Sequence, residues 1–532
     1  DERFPADDPA KSALLNALAQ TLVGQGRYTK AVEVGQQAVD LRRQSLGQDH
    51  TDTLRAEVTL ADCFQAAGDS DAAISLLESV HPRLVNQVGP VDDAALDATS
   101  TLAEAYVDHG DPAQAVKILE KALAQCQASF GEQDSRSAKL LIQLSVALRR
   151  GGQESRSLEL LRRQQVTLEQ SLGRDHMTVL ELLSALANAH RALDQFAEAQ
   201  PLYEESLTRL TKKLGPRHPR TLIAMNNLAS MRMSAGDYQG SWKLCRRVLQ
   251  LREEVLGTDH PLTVASRANL ASAYWFLDEP AKARVLLMDV LRQRTLQLGP
   301  DHRETLNAVE TLGDVLIELA EWRQALQLLE PAYVRCRATL PADHELTLAI
   351  ADGLATVWGE LGEYDQAVPL GETTLRAARG KYGPHHTITT ACAHQLANLY
   401  SHCGRLPEAL ELQEEVVEAR VKVYGASHPG TLMAQLNLGR FLSLAQDFEA
   451  AERVLRAVQE LGANHETTRA TALRAQCELA GVLAGTGRVA EASSLLTDGL
   501  RKLGELKEAT VPRFKKRLQH YEELLRKMDT SA

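Results

Sequence analysis

Several features are scarce or missing in this sequence, and each absence removes a class of protein. No run of apolar residues approaches the ~18 that a membrane-spanning helix needs, and no signal peptide is recognisable. Aromatic residues make up only 4% of the chain, which favours helices packed through leucine and alanine over a β-sandwich or barrel. The motifs GxxxxGK[ST], GxSxG and HExxH are absent, as is a GxGxxG after a strand. The sequence therefore predicts neither an enzyme nor a membrane protein, and no cofactor.

The net charge and the cysteines limit the partners and the compartment. The formal net charge is −11, which argues against nucleic acid as a partner. The seven cysteines are an odd number and contain no CxxC pair. We therefore expect reduced, buried thiols in a cytoplasmic protein rather than a disulfide framework or a metal site.

A repeat of 42 residues runs through most of the chain. Its first marker is a linker in which glycine is usually followed by histidine three residues later. Successive linkers are 42 residues apart, except for the step of 37 residues from Gly425 to Gly462. The linkers begin at Gly47, Gly89, Gly131, Gly173, Gly215, Gly257, Gly299, Pro341, Gly383, Gly425, Gly462 and Gly504. A fixed period of this size indicates a solenoid, in which each unit buries its apolar faces against its neighbours.

A second marker is a turn in the middle of each repeat. Leucine always lies eight residues before this turn, a small residue seven before it, and another small residue five after it, as in Leu228, Ala229 and Ser241. The turn residues are Gly26, Gly68, Gly110, Gly152, Asp194, Gly236, Asp278, Ala320, Gly362, Gly404, Gln446 and Gly487. Two small residues across a turn allow two helices to pack closely, and a larger side chain there would cost about 1–3 kcal/mol.

This pattern, with an aromatic residue two positions after many turns (Tyr28, Tyr238, Trp322), resembles the tetratricopeptide repeat. The linker Gly257–Thr263 and the run Asn226–Ala229 are similar to the kinesin light chain type in particular. The usual unit has about 34 residues, and the eight extra residues here lengthen the second helix. The resemblance implies an all-α fold, a right-handed α-solenoid of about twelve two-helix repeats.

The resemblance covers residues 11–504, which leaves two terminal segments. Residues 1–10 are acidic and aperiodic and predict a linker, with a covalently attached upstream domain that this chain does not include. Residues 505–532 contain an apolar helical stripe and predict a capping helix and tail; a basic amphipathic helix on a membrane or a partner is the alternative. The stripe consists of Phe514, Leu518, Tyr521, Leu525 and Met528.

The repeated histidines are structural by this interpretation. A catalytic group would occur once or twice, whereas histidine lies in most linkers, often directly before proline and three residues before threonine. We interpret the linker as a device that ends one helix and starts the next. A second histidine group in repeat 10 includes His394 and His402, which are about 12 Å apart along one helix. That is too far for both to bind one zinc ion, so we expect side chains that face solvent or the groove.

One stripe of each first helix changes from repeat to repeat, and in the resembled family this stripe lines a concave groove. It comprises positions 13, 10, 6, 3 and 2 before the turn. Its composition predicts a basic section, then an aromatic platform, then an acidic section that also includes Glu310, Asp352 and Glu360. The predicted peptide-binding residues are Lys139, Arg149, Arg150, Asn188, Arg191, Asn226, Ser230, Trp275, Phe276, Asn307, Asp314 and Glu318. The alternative is that these are ordinary solvated side chains.

The favoured function is a non-catalytic scaffold that binds protein or peptide partners in this groove. An alternative is a regulatory or substrate-recruiting arm of a larger signalling enzyme, a kinase or a nucleotide-switch protein, as in bacterial proteins of the resembled family. A third is self-assembly through the ends or the convex face.

Overall fold

The computed structural model describes residues 9–463, 466–505, 519–524 and 526, and α-helix is the only regular element among them. The predicted linker at 1–10 lies outside this range except for Pro9 and Ala10, which open the first helix. Most of the predicted capping helix at 505–532 also lies outside it, including Phe514, Leu518, Leu525 and Met528. No helix of the described residues has the length and apolarity to cross a membrane.

Pairs of antiparallel helices follow one another along the chain, one pair per repeat. Most first helices have 16 residues and most second helices have 19. The helices are α1 (Pro9–Gly24), α2 (Tyr28–Leu46), α3 (Thr51–Ala66), α4 (Ser70–Val88), α5 (Asp93–His109), α6 (Pro112–Phe130), α7 (Ser135–Arg150), α8 (Glu154–Leu172), α9 (Met177–Ala192), α10 (Phe196–Leu214), α11 (Pro219–Ser234), α12 (Tyr238–Leu256), α13 (Pro261–Phe276), α14 (Pro280–Leu298), α15 (Arg303–Glu318), α16 (Trp322–Thr339), α17 (Glu345–Glu360), α18 (Tyr364–Tyr382), α19 (Thr387–His402), α20 (Leu406–Tyr424), α21 (Pro429–Leu444), α22 (Phe448–Gly462), α23 (Glu466–Gly485) and α24 (Val489–Gly504). The predicted α-solenoid of two-helix repeats is confirmed.

The linker works as the repeated glycine and histidine predict. From Gly47 to Gly425 the linker glycines have φ between 80° and 90° (Gly383 and Gly89 are the extremes), a region that favours glycine and lets the chain leave the preceding helix. Gly462 and Gly504 differ, because each is the last residue of a helix, α22 and α24. Eight linker histidines, from His50 to His428, are the N-caps of the helices that follow: the Nδ1 of each accepts a hydrogen bond of 3.1–3.3 Å from the backbone N–H two residues later. Each histidine therefore satisfies one of the N–H groups that a helix start leaves unpaired.

The turn inside each repeat also needs a left-handed residue. Eight of the twelve turn positions are glycines with positive φ. The other four, Asp194, Asp278, Ala320 and Gln446, have φ of 56° to 64°, where a side chain is strained. The repeat imposes this conformation even where the sequence departs from glycine.

Small residues hold the two helices of each repeat together. All twelve residues five positions after the turn are fully buried, from Ala31 to Ala492, and Gly313 shows why size matters seven positions before the turn. A Cβ at Gly313 would lie 2.6 Å from Cδ2 of Leu329, which is too close for two carbon atoms. The leucine eight positions before the turn is buried in every repeat but the first, where Leu18 is 46% exposed.

The described residues form two compact units. Unit 1 comprises the described residues up to Ala273 together with Asp289–Thr305, and unit 2 comprises Tyr274–Met288 together with the described residues from Leu306 onward. In unit 2, Tyr521 lies in the core formed by the last repeats, and its hydroxyl donates to Glu478 at 2.8 Å.

A contact between residues far apart in sequence explains why Asp289–Thr305 belongs to unit 1. His302 Nε2 lies 3.2 Å from the carbonyl oxygen of Ala66, and the His302 ring stacks on Tyr28. Arg303 donates to the carboxylate of Asp108 at 2.6 Å. The edge formed by the first three repeats therefore packs against the linker that starts α15.

Candidate functional site

The basic section lies on first helices of unit 1 and is centred on Arg149 of α7 and Arg191 of α9. Both arginines are half-buried, and their Nε atoms have no hydrogen-bond partner. Burial, and then the nearby charge of Arg191, lower the pKa of Arg149. Two arginines whose like charges repel each other at half-buried positions form a site that favours an anion.

Asn188 stands beside these arginines and is held in place. The hydroxyl of Tyr203 donates to Asn188 Oδ1 at 2.6 Å, which leaves the amide N–H groups of Asn188 as donors for a ligand. Arg149 and Asn188 line a cavity of about 360 Å³ together with Glu181, Ser184, Arg220 and Asn227, among others.

The remaining predicted residues of unit 1 do not join this cavity. Lys139 and Arg150 are exposed. Asn226 accepts a hydrogen bond of 2.7 Å from Asn269 of the next repeat. The carbonyl of Ser230 accepts from the hydroxyl of Ser234 at 3.2 Å. The Asn226–Asn269 pair bridges two repeats, so its first role is to join neighbouring helices.

The acidic section of unit 2 forms a second cavity, with a volume of about 530 Å³. Four predicted residues meet in it: Trp275 from α13 and Asn307, Asp314 and Glu318 from α15. Phe276 lies outside the cavity; it is 45% exposed, and its ring is 5.5 Å from the Trp275 ring. The indole therefore lies beside the carboxylates, and the neighbouring phenyl ring does not.

The pKa values of three carboxyl groups in this cavity are raised. Burial raises the pKa of Asp352 to about 7. Burial, and then the charges of Glu310 and Asp352, raise the pKa of Asp314 to about 8. Burial also raises the pKa of Glu310, whose carboxylate accepts from the hydroxyl of Thr311 at 3.1 Å. Near neutral pH the cavity therefore holds protons that a bound cation would displace.

Several residues that line the cavities were not predicted, because they lie beside the predicted stripe or one helical turn nearer the start of the first helix. In unit 1 these are Arg220 and Asn227, and in unit 2 they include Glu345, Gly353 and Ile388. They occupy positions 9, 16 and 17 before the turn. The same i, i+3/i+4 rule that gave the predicted stripe reaches these positions when it is continued toward the N-terminus.

Repeat 10 offers no metal site in the part of the chain that the structure describes. His394 does not face solvent: its Nδ1 lies 3.0 Å from Gln413 Oε1 and its Nε2 lies 3.0 Å from Asn437 Nδ2. Burial lowers its pKa to about 4. No group of three or more His, Cys, Asp or Glu residues in the described ranges is placed to hold a metal ion.

The cysteines are free thiols, and six of the seven are buried. Burial raises the pKa of Cys63 to about 11 and the pKa values of Cys336 and Cys477 to about 12. Since the thiolate is the reactive form, these groups are poor nucleophiles.

Comparison with known families decides the classification of the chain. A family model described as tetratricopeptide repeat matches residues 11–84, 95–163, 178–239, 220–295, 301–380 and 389–462. The chain belongs to the tetratricopeptide repeat family. The family assignment made from the turn glycines and the small residues is thereby confirmed.

Solved structures of this repeat type are similar over part of the chain. Two crystal structures of nearly identical TPR-like repeats from a kinesin light chain of Podosopora anserina, one of them carrying a single substitution, share 26% sequence identity with it. They cover 38% and 39% of this tetratricopeptide repeat protein and 97% and 98% of their own chains, with TM-scores of 0.33 and 0.32. No match was found among curated proteins.

Proposed function

We propose that this tetratricopeptide repeat protein is a non-catalytic scaffold whose first-helix faces bind segments of partner proteins. The observation that carries the proposal is the position of the two cavities. Each is lined mainly by residues that vary from repeat to repeat, on first helices of consecutive repeats. The leucine and the two small residues that recur in each repeat form the frame of the repeats and, except for Leu18, are buried. The free, mostly buried cysteines support a reducing, cytoplasmic setting.

The basic section of unit 1 supplies the first part of the recognition. Arg149 and Arg191 are close enough for their charges to interact, and both retain unused N–H donors. Arginine binds carboxylates through paired hydrogen bonds, and the asparagine amides bind the backbone of an extended peptide. A segment with acidic side chains fits this section of the groove.

Charge reversal tests the proposal directly. The double variant Arg149→Glu and Arg191→Glu is compared with wild type in fluorescence anisotropy, with a labelled peptide of alternating glutamate and leucine as the probe. We expect at least a tenfold loss of affinity, equivalent to about 1.4 kcal/mol.

The matched control reverses two exposed charges on second helices, Lys212→Glu and Arg247→Glu. This variant has the same net charge as the test variant but leaves the first-helix face intact. Equal losses of affinity in both variants would show that the effect comes from long-range electrostatics. Unchanged affinity in the test variant would show that the basic section does not take part in peptide binding.

A further inference from the structure

We propose that the acidic cavity of unit 2 binds an arginine side chain of a partner segment, with its guanidinium taken up by the carboxylates of Asp314 and Asp352 near the indole of Trp275. This inference rests on the proposed partner-binding function and adds the chemistry of one subsite. It concerns a cation, whereas the basic section of unit 1 concerns an anion, so the two can be tested separately.

The cavity is lined by acidic groups and by no basic group. Five acidic side chains line it, Glu310, Asp314, Glu318, Glu345 and Asp352, and its lining residues include no lysine, arginine or histidine. Within the described residues, the carboxylates of Asp314 and Asp352 form no ion pair and accept no hydrogen bond. Both residues are half-buried, and both line a space that a ligand can enter.

Two carboxylates in unit 1, one buried and one partly buried, have partners within the protein. Glu57 is buried and receives two hydrogen bonds from Arg43, of 2.9 and 2.6 Å. Asp62 is partly buried and accepts a hydrogen bond of 2.8 Å from the hydroxyl of Thr101. Because an unpaired carboxylate that is half-buried is costly to ionise, the lack of a partner in this cavity indicates a cation supplied from outside the chain.

The lining favours guanidinium over other cations. The indole of Trp275 and the apolar side chains of Leu346 and Ile388 lie in the same cavity as the carboxylates. Guanidinium is planar, stacks on aromatic rings, and can bridge two carboxylates with its fork of donors, whereas ammonium is a compact and strongly hydrated charge. A metal ion fits less well, since the acidic groups of the described residues are not arranged to coordinate one.

Binding of a cation here is linked to proton release. The titratable groups that face the cavity are Glu310, Asp314 and Glu318 from α15, Glu345 and Asp352 from α17, and Cys392 from α19; α13 contributes only Trp275. The raised pKa values of Asp314 and Asp352, about 8 and about 7, leave part of the cavity protonated at neutral pH. A guanidinium stabilises the ionised carboxylates, so its affinity increases as the pH rises from 6 to about 8.5.

The experiment uses the full chain and two blocked peptides, acetyl-Ala-Leu-Arg-Leu-Ala-amide and the same peptide with citrulline. Citrulline keeps the shape of arginine and removes its charge. Calorimetric titration at pH 7.5 in two buffers of different ionisation enthalpy measures both affinity and proton release. We expect the arginine peptide to bind at least tenfold more tightly than the citrulline peptide, with a net release of protons.

The variants Asp314→Asn and Asp352→Asn should each lower the affinity for the arginine peptide at least tenfold and reduce the proton release. Asp97→Asn is the matched control, because burial also raises the pKa of Asp97 but it lies on α5 of unit 1. Its affinity for the arginine peptide should equal that of wild type. Thermal unfolding of all three variants establishes that each is folded.

Several outcomes would overturn the inference. Equal affinity for the arginine and citrulline peptides would show that charge plays no part. Equal affinity for the arginine peptide and for the same peptide with lysine would show that the planar guanidinium plays no part. Displacement of the arginine peptide by low concentrations of CaCl₂ would identify a metal site instead. The glutamate–leucine probe of unit 1 separates the two proposals: if it binds while the arginine peptide does not, the scaffold function stands and only this subsite fails.

Discussion

Removal of an unpaired carboxylate from the acidic cavity should stabilise the protein. Asp314 has no cationic partner among the described residues and lies beside Glu310 and Asp352, whose charges oppose its ionisation. The substitution Asp314→Asn keeps the shape of the side chain and removes the charge. We therefore expect a variant that binds its cationic ligand less well but unfolds at higher temperature or denaturant concentration.

The size of the gain follows from the pKa of Asp314. A rise from 3.8 to about 8 would correspond to a ceiling of about 6 kcal/mol at a pH above both values. The side chain is only half-buried, so water in the cavity screens the charge and the neutral amide still needs hydrogen-bond partners. An increase of about 1–3 kcal/mol in the free energy of unfolding is the expected result.

The sign of the pH dependence gives a second test. A carboxyl whose pKa is raised on folding binds more protons in the folded state, so stability falls as the pH rises from about 4 to about 8. Asp314→Asn should match wild type near pH 4 and exceed it increasingly toward pH 8. A variant that gains the same stability at every pH would contradict the electrostatic explanation.

The assay can be directed at the correct part of the chain. Three of the four tryptophans, Trp275, Trp322 and Trp358, lie in unit 2, so tryptophan fluorescence in urea reports chiefly on that unit. Repeat arrays need not unfold in a single step, and the midpoint of this transition is the quantity to compare. Glu330→Gln, at an exposed position of α16, is the control and should change stability by less than about 0.5 kcal/mol.

Two further predictions concern the frame of the repeats. Ala320 holds φ of 57°, so Ala320→Gly should raise the free energy of unfolding by about 1 kcal/mol in the same urea assay, whereas Gly362→Ala, at the equivalent turn, should lower it. His394 has its pKa lowered to about 4, so its neutral form is favoured by folding and its contribution to stability should be lost as the pH falls from 6.5 toward 4. His394→Gln should flatten this part of the stability profile; a profile unchanged by the substitution would show that other groups cause it.

The frame could be predicted from the sequence because twelve repeats share the same turn and the same pair of helices. A single glycine such as Gly236 is weak evidence for a turn, but glycine at most of the equivalent positions identifies one. The same redundancy let the buried small residues and the linker histidines be assigned to structure. Even the four turn residues that are not glycine adopt positive φ, because the neighbouring helices fix the turn whatever its side chain.

The candidate site could be predicted only in part, because it belongs to the features that the repeats do not share. The charge of each section was readable from single residues such as Arg149 and Asp314. Whether Asp314 finds a cation depends on side chains of other helices, and no periodicity encodes that. The cavity also reaches Glu345 and Ile388, which lie one helical turn nearer the helix start than the predicted stripe. Different first helices line the cavity with different parts of their length.

Stability and recognition therefore place opposite demands on the same kind of residue. Where a buried carboxylate belongs to the frame, as Glu57 does, the chain supplies Arg43 and forms the pair at 2.6 Å. Where the carboxylates face the cavity, as Asp314 and Asp352 do, no such pair forms among the described residues and the cost of burial persists. A neutral residue such as Asn or Thr at either position would avoid that cost. The presence of both acids on one wall, beside an indole, is the arrangement expected when a partner's cation supplies the missing charge.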